Sequence, residues 1–179
     1  MEIQSLRFCI FIQTDQSIVI TTLKTIKIMT KLYVASSWSN PKQPWLVEKL
    51  REKGFDVYDF RHPSGRADKN IWDVLEVNKE KVFTSVMVEL MDMKEAEERF
   101  KEHLEAMQQA DACVLYLPCG NSAHIEAGYM KGLGKKVYVF GEFEVQIKPE
   151  LMYYTFDGFY NFYENLFAEL KKLDGNKDE

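Results

Sequence analysis

Residues 110–129 read ADACVLYLPCGNSAHIEAGY, and the fold is decided in this stretch. Residues 112–117 are an unbroken apolar run of the length of a buried strand. Residues 118–122 (PCGNS) form a tight loop of small residues, and a helix is expected from about residue 123 to 132, with Glu126 in its first turn. A strand that enters a helix through a short loop is one step of an alternating α/β chain.

The pattern repeats on both sides. Upstream, residues 32–36 (LYVAS) read as a buried strand and 37–43 (SWSNPKQ) as a polar loop. Residues 44–53 are a helix, with Pro44 in the first turn, Trp45, Leu46 and Leu50 as its apolar stripe and Gly54 at its stop. Residues 56–60 (DVYDF) are a second strand and 61–70 (RHPSGRADKN) a turn-rich loop. Trp72, Leu75, Val82, Val86 and Leu90 suggest one or two short helices in 71–93. Residues 94–110 are a helix with Phe100, Leu104 and Met107 at i, i+4 and i+7. Downstream, 136–140 (KVYVF) is a further strand and 158–172 a last helix, aromatic on one face. The alternation predicts a doubly wound parallel sheet of about five strands flanked by helices, of flavodoxin/Rossmann-like kind. Ligands of such sheets bind at the carboxyl ends of the strands, which brings loops 36–43, 61–72 and 118–124 forward. Residues 31–173 make one domain, 174–179 a charged tail. Residues 1–30 hold two β-like runs, 7–13 and 17–22, readable as an extra hairpin or as an N-terminal extension.

Composition narrows the function. The 179 residues, 21.0 kDa, suit one domain with a real core. A net charge of −5 and a pI near 5.4 argue against a nucleic-acid polymer or an anionic membrane as partner. Cys9, Cys113 and Cys119 are odd in number and lack a C-x-x-C spacing, so neither a disulfide framework nor a zinc knuckle is indicated, and a reducing, cytoplasmic setting is expected. His62, His103 and His124 have no metal-ligand spacing. No apolar run is long enough to span a bilayer. No metal and no cofactor are expected.

Glu126 is the leading candidate for chemistry. The start of a helix carries unpaired N–H groups and partial positive charge, which favour an ionised carboxylate, the form a nucleophile needs. The competing reading is a capping box, but that motif needs a capping side chain three residues earlier, where Ala123 stands.

With these residues in place, the chain resembles the nucleoside 2-deoxyribosyltransferase superfamily, in which a strand, a small loop and a helix carry a nucleophilic Glu followed by Gly. The matching residues are Glu126, Ala127, Gly128 and Tyr129, together with residues 32–38 (LYVASSW), 57–61 (VYDFR) and 110–115 (ADACVL). The resemblance covers roughly residues 31–173. It implies that Glu126 attacks the anomeric carbon of a nucleoside or nucleotide through a covalent glycosyl-enzyme, and that Tyr33 holds the carboxylate. Transfer to a second base and hydrolysis by water are both open, as is a nucleoside 5′-monophosphate as substrate. A nucleotide-binding module without turnover is the reading from another class.

Two departures bear on activity. The family places an Asp eight residues before the Asp of the Ala-Asp pair, for proton transfer to the base, and here that residue is His103. Stepping about 100° per residue from Phe100 sets His103 between Ala106 and Met107, on the inward arc. A core histidine and a substitute acid or base are both compatible with that place, and losing a general acid costs ~10²–10⁴ in rate. The family's sugar-binding Asp, six residues before the nucleophile, is replaced by Gly120, with Asn121 and Ser122 beside it. Those three residues could cradle a phosphate at the helix terminus or form an ordinary turn. Ser36 and Ser37 in the first loop are further substrate-binding candidates. Trp38 could stack on a base or pack on the next helix. Asn40 and Arg61, at the ends of the first two strands, could bind base or phosphate or be surface polar groups. Trp72 is read as lid or core, Cys119 as a small packing residue. Tyr153, Tyr154, Phe156, Phe159, Tyr160, Phe162, Tyr163 and Phe167 crowd one stretch, more than one helix face buries, so a homo-oligomer is expected.

Overall fold

The computed structural model describes residues 29–63, 83–141 and 151–175. The candidate hairpin runs 7–13 and 17–22, and Trp72 with most of its loop, lie outside the described residues. Five parallel strands form one sheet: β1 (Lys31–Ala35), β2 (Asp56–Tyr58), β3 (Ala112–Tyr116), β4 (Lys136–Phe140) and β5 (Gly158–Tyr160), in the order β2-β1-β3-β4-β5. This is the doubly wound order whose switch point falls between β1 and β3.

Parallel interior strands are covered on both faces, so they read as continuous apolar runs. Leu32, Val34, Val57, Val114, Tyr116, Tyr138 and Phe140 face α1 (Gln43–Glu52) and α5 (Tyr163–Gly175), meeting Leu46, Val47, Leu50, Leu166 and Leu170. Tyr33, Ala35, Cys113, Leu115, Val137 and Val139 face α3 (Lys94–Gln109) and α4 (Asn121–Gly132). Helix α2 (Phe83–Asp92) precedes α3 and buries Val86. Ala123, Ala127 and Met130 are the buried stripe of α4, and the small side chains of Ala123 and Ala127 let the helix lie close on the sheet. Gly141, just past β4, is flush against β3, since a Cβ there would sit 3.0 Å from Leu117 Cβ.

Several expected boundaries move. The last helix starts at Tyr163, because 158–160 pair with β4 as an edge strand, a three-residue element too short to show a period. Asp174 belongs to α5 rather than to a loose tail, accepting from Thr30 Oγ1 at 2.6 Å. Trp45 is 43% exposed against Tyr163; Gln43, Leu46, Val47 and Leu50 bury instead. Phe100 is also exposed, because α3 reaches the core through Met107, near its carboxyl end.

Asp157 ties β4 to the chain entering β5. It accepts from Lys131 Nζ at 2.7 Å, Val137 N at 2.9 Å and Lys136 Nζ at 3.0 Å. Partial burial pushes its carboxyl up, but the hydrogen bonds from Lys131, Val137 and Lys136 outweigh that and hold it below the ordinary carboxylate range. A carboxyl with a lowered folded pKa contributes stability that is present above the unfolded value, about 3.9, and is lost as pH falls through the folded value. Asp157→Asn should therefore lower the melting temperature at pH 7, with the gap to the parent closing at acid pH below about 4 in thermal melts.

Candidate active site

The carboxyl ends of β1 and β3 are joined by side chains. Ser36 Oγ donates to Tyr116 O at 2.9 Å, and Asn40 Nδ2 donates to Ser36 Oγ at 3.1 Å. Asn40 is buried and its Oδ1 accepts from Lys42 N at 3.0 Å, an Asx turn that starts α1. Ser37 and Ser39 share a hydroxyl contact of 2.8 Å. Arg61 reaches back over the same loop and donates to the carbonyls of Trp38, Asn40 and Ser37 at 2.7, 2.9 and 3.2 Å. Its guanidinium also lies 5.3 Å from the Trp38 ring centroid, and Phe60 meets that ring edge-on. Both candidate binders, Arg61 and Asn40, thus hold the first loop in shape, and one face of Trp38 is covered.

Beneath Arg61, Asp59 accepts from Gln43 Nε2 and Arg61 N, each at 3.1 Å, and faces His62 Nδ1 at 3.0 Å. Burial raises the Asp59 carboxyl, but His62, Gln43 and the Arg61 amide hold it below its ordinary value. This ionised, buried group anchors the loop after β2.

Glu126 is the sixth residue of α4, whose N-cap is Gly120. It therefore stands in the second turn and not the first. The third helical position belongs to Ala123, which removes the capping-box reading. The helix terminus also contributes little to the charge of Glu126, since that effect fades within one turn. What surrounds the carboxylate is more specific. Glu126 is half-buried on one flank of the Ala123–Ala127–Met130 stripe, and its Oε1 lies 3.7 Å from His103 Nδ1. His103 is 28% exposed, so it is not a core histidine.

Tyr33 completes the group. It is fully buried and its hydroxyl makes no hydrogen bond of good geometry. Burial pushes its pKa well above the usual value, and the Glu126 carboxylate adds to the rise. The phenol thus keeps its proton beside a carboxylate. Cys119 is pushed up to about 12, by burial and then by Glu126, and Cys113 is raised by the same two causes. Neither is a thiolate at neutral pH.

Gly120, Asn121 and Ser122 are exposed at the start of α4, with no side-chain cap on that helix. A Cβ at Gly120 would meet nothing within 4 Å, so glycine is not forced there by space. The structure brings Glu126, Tyr33 and His103 together, while Ser36, Ser37, Trp38 and Asn40 belong to the loop after β1, over which Arg61 is clamped.

Three residues escaped the sequence reading. Tyr58 stacks on Tyr33 at 5.4 Å; its place in β2 beside Tyr33 of β1 was the available signal. His124 and Tyr153 form the other pair. His124 Nδ1 donates to Gly120 O at 2.9 Å, which leaves Nε2 of the neutral ring to accept from Tyr153 Oη at 2.6 Å. Nothing in the sequence linked those two residues, 29 apart.

A cleft of about 830 Å3 opens elsewhere, at the starts of α1 and α5 over Trp45, Tyr116, Phe140, Phe162 and Tyr163. Tyr116 and Phe140 belong to the sheet face opposite to Tyr33. The described residues lining that cleft include no carboxylate or histidine.

Among the described residues, no helix is long and apolar enough to cross a membrane, and no cluster of ligating side chains could hold a metal ion. No family model and no curated protein matches the chain. Solved structures do. A 2-deoxyribosyltransferase from the psychrotolerant bacterium Bacillus psychrosaccharolyticus aligns at 20% identity with a TM-score of 0.50, covering 76% of this chain and 90% of its own. A conserved protein from Enterococcus faecalis V583 aligns at 20% identity and a TM-score of 0.50, over 81% of this chain and 99% of its own. The CMP N-glycosidase BcmB of Clostridium botulinum aligns at 16% identity and a TM-score of 0.46, over 79% and 99%. With its parallel sheet in the order β2-β1-β3-β4-β5 and its helices on both faces, the chain shares the fold of that 2-deoxyribosyltransferase.

Proposed function

We propose that this protein cleaves or transfers the N-glycosidic bond of (deoxy)nucleosides, with Glu126 as nucleophile. The observation that carries the reading is the convergence on one carboxylate of a buried tyrosine hydroxyl and a histidine 3.7 Å away. Glu126 attacks the anomeric carbon, the bond to the base nitrogen breaks, and the base leaves with the bonding electrons. His103, in its cationic form, supplies the proton that the base takes up. Water or a second base then attacks the same carbon and frees Glu126, so configuration is retained over two displacements. Tyr33 donates to Glu126 and fixes its direction of attack. No metal or cofactor is needed for these steps.

A second substrate class, nucleoside 5′-monophosphates, is supported by the first turn of α4. Its N–H groups carry no side-chain cap, and Gly120, Asn121 and Ser122 at its start are exposed. A binding module without turnover differs from both readings in releasing no base.

A chromatographic screen for free base, over the common nucleosides and their monophosphates, separates these readings. Glu126→Ala should remove base release by about 10³-fold or more while the fold persists. His103→Ala should cost ~10²–10⁴, and His103→Asp should retain or raise turnover, since a carboxylic acid at that place serves the same proton transfer. Wild-type rates in Glu126→Ala would end the assignment.

We also propose a homo-oligomer in a reducing compartment, consistent with free Cys113 and Cys119. Tyr154 and Phe162 are 93% and 62% exposed, with Leu151 and Met152 nearby at 86% and 70%. Apolar exposure of this kind marks interfaces. Sedimentation at micromolar concentration should give a dimer or larger species, and a monomer would contradict it.

A further inference from the structure

Tyr58 is the last residue of β2 and the register partner of Tyr33. Parallel neighbours in register send their side chains to the same side of the sheet. The two rings accordingly stack, 5.4 Å apart and 11° from parallel. Tyr58 also meets His103 of α3 edge to face, with centroids 5.8 Å apart and planes at 76°. His103 in turn is 3.7 Å from Glu126. Four side chains from β1, β2, α3 and α4 thereby form a closed group in which Tyr33 also acts on Glu126.

His103 has little else to hold it. Phe100 and Lys101, on the preceding turn of α3, are exposed, and the helix gains its burial at Met107 and beyond. Among the described residues the partners of His103 are the Tyr58 ring and the Glu126 carboxylate. A flexible aliphatic side chain at 58 would fill volume but would offer no flat face to stack on Tyr33 or to receive the imidazole.

We propose that Tyr58 is a positioning residue whose ring, held between Tyr33 and His103, keeps the imidazole at the Glu126 carboxylate. Its effect on rate rests on the function proposed for Glu126 and His103, but its geometric part can be tested without turnover. The first measurement is the side-chain 15N spectrum of His103 in the full chain at one neutral pH. Glu126→Gln should move the His103 resonances in the parent. In a Tyr58→Leu background that movement should fall by half or more, and in Tyr58→Phe it should persist. Tyr58→Met replaces Leu if the latter does not fold. Equal movement in the parent and the aliphatic background overturns the proposal.

The second measurement is base release. Tyr58→Leu should lower kcat about tenfold with KM little changed, as expected for a misplaced catalytic group. Tyr58→Phe should restore it, and Tyr58→Leu should add nothing to His103→Ala. A Tyr58→Leu enzyme as fast as the parent, beside an inactive Glu126→Ala, overturns the positioning role and leaves the function standing. An active Glu126→Ala ends the functional reading, and the spectra still decide the geometry.

Discussion

The register between β1 and β2 is the constraint on which the site depends. Side chains alternate along a strand, so a slip of one residue in β1 would carry Tyr33 to the α1 and α5 face and bring Leu32 or Val34 to α3 and α4. The slip is resisted at both ends of β1. Lys31 N donates to Asp111 Oδ2 at 2.7 Å and Asp111 N to Lys31 O at 2.8 Å, at the amino end. Ser36 closes the carboxyl end on Tyr116 O. With both apolar faces covered, the pairing Tyr33↔Tyr58 and Tyr33↔Cys113 is the one that buries every strand position from Leu32 to Ala35.

Helix α4 then divides its work between two flanks. Its buried stripe fixes the helix on the sheet, with Glu126 on one side and His124 on the other. Glu126 turns to Tyr33 and His103, whereas His124 joins the Gly120 carbonyl to Tyr153, ahead of β5. The small loop is thus braced from the side away from the carboxylate. Arg61 braces the first loop in the same manner, through three carbonyls. Both loops are thus held by side chains other than Glu126.

Much of this was legible in the residues. The runs LYVAS, ACVLYL and KVYVF carry the continuous apolar signal of covered parallel strands, and the resemblance picked out Glu126, Tyr33 and His103, which the structure sets close together. Other features were hidden for physical reasons. The turn of α4 that bears Glu126 depends on where the helix starts, and Asn121 and Ser122 are as good in a first turn as in a loop. The last strand, Gly158–Tyr160, has too few residues to show alternation. Arg61 as a clamp depends on a loop fold that no local pattern encodes, and Trp45 looked apolar in a helix whose buried face is completed by Gln43.

The central claim is that Glu126 forms a bond to the sugar. Mass spectrometry of the protein, quenched in acid during steady turnover of a releasing nucleoside and digested, tests it most directly. The account predicts a peptide spanning Glu126 heavier by one glycosyl residue, with the adduct localised to that side chain. Base release with the adduct on another residue, or with the product of inverted configuration at the anomeric carbon, would contradict it.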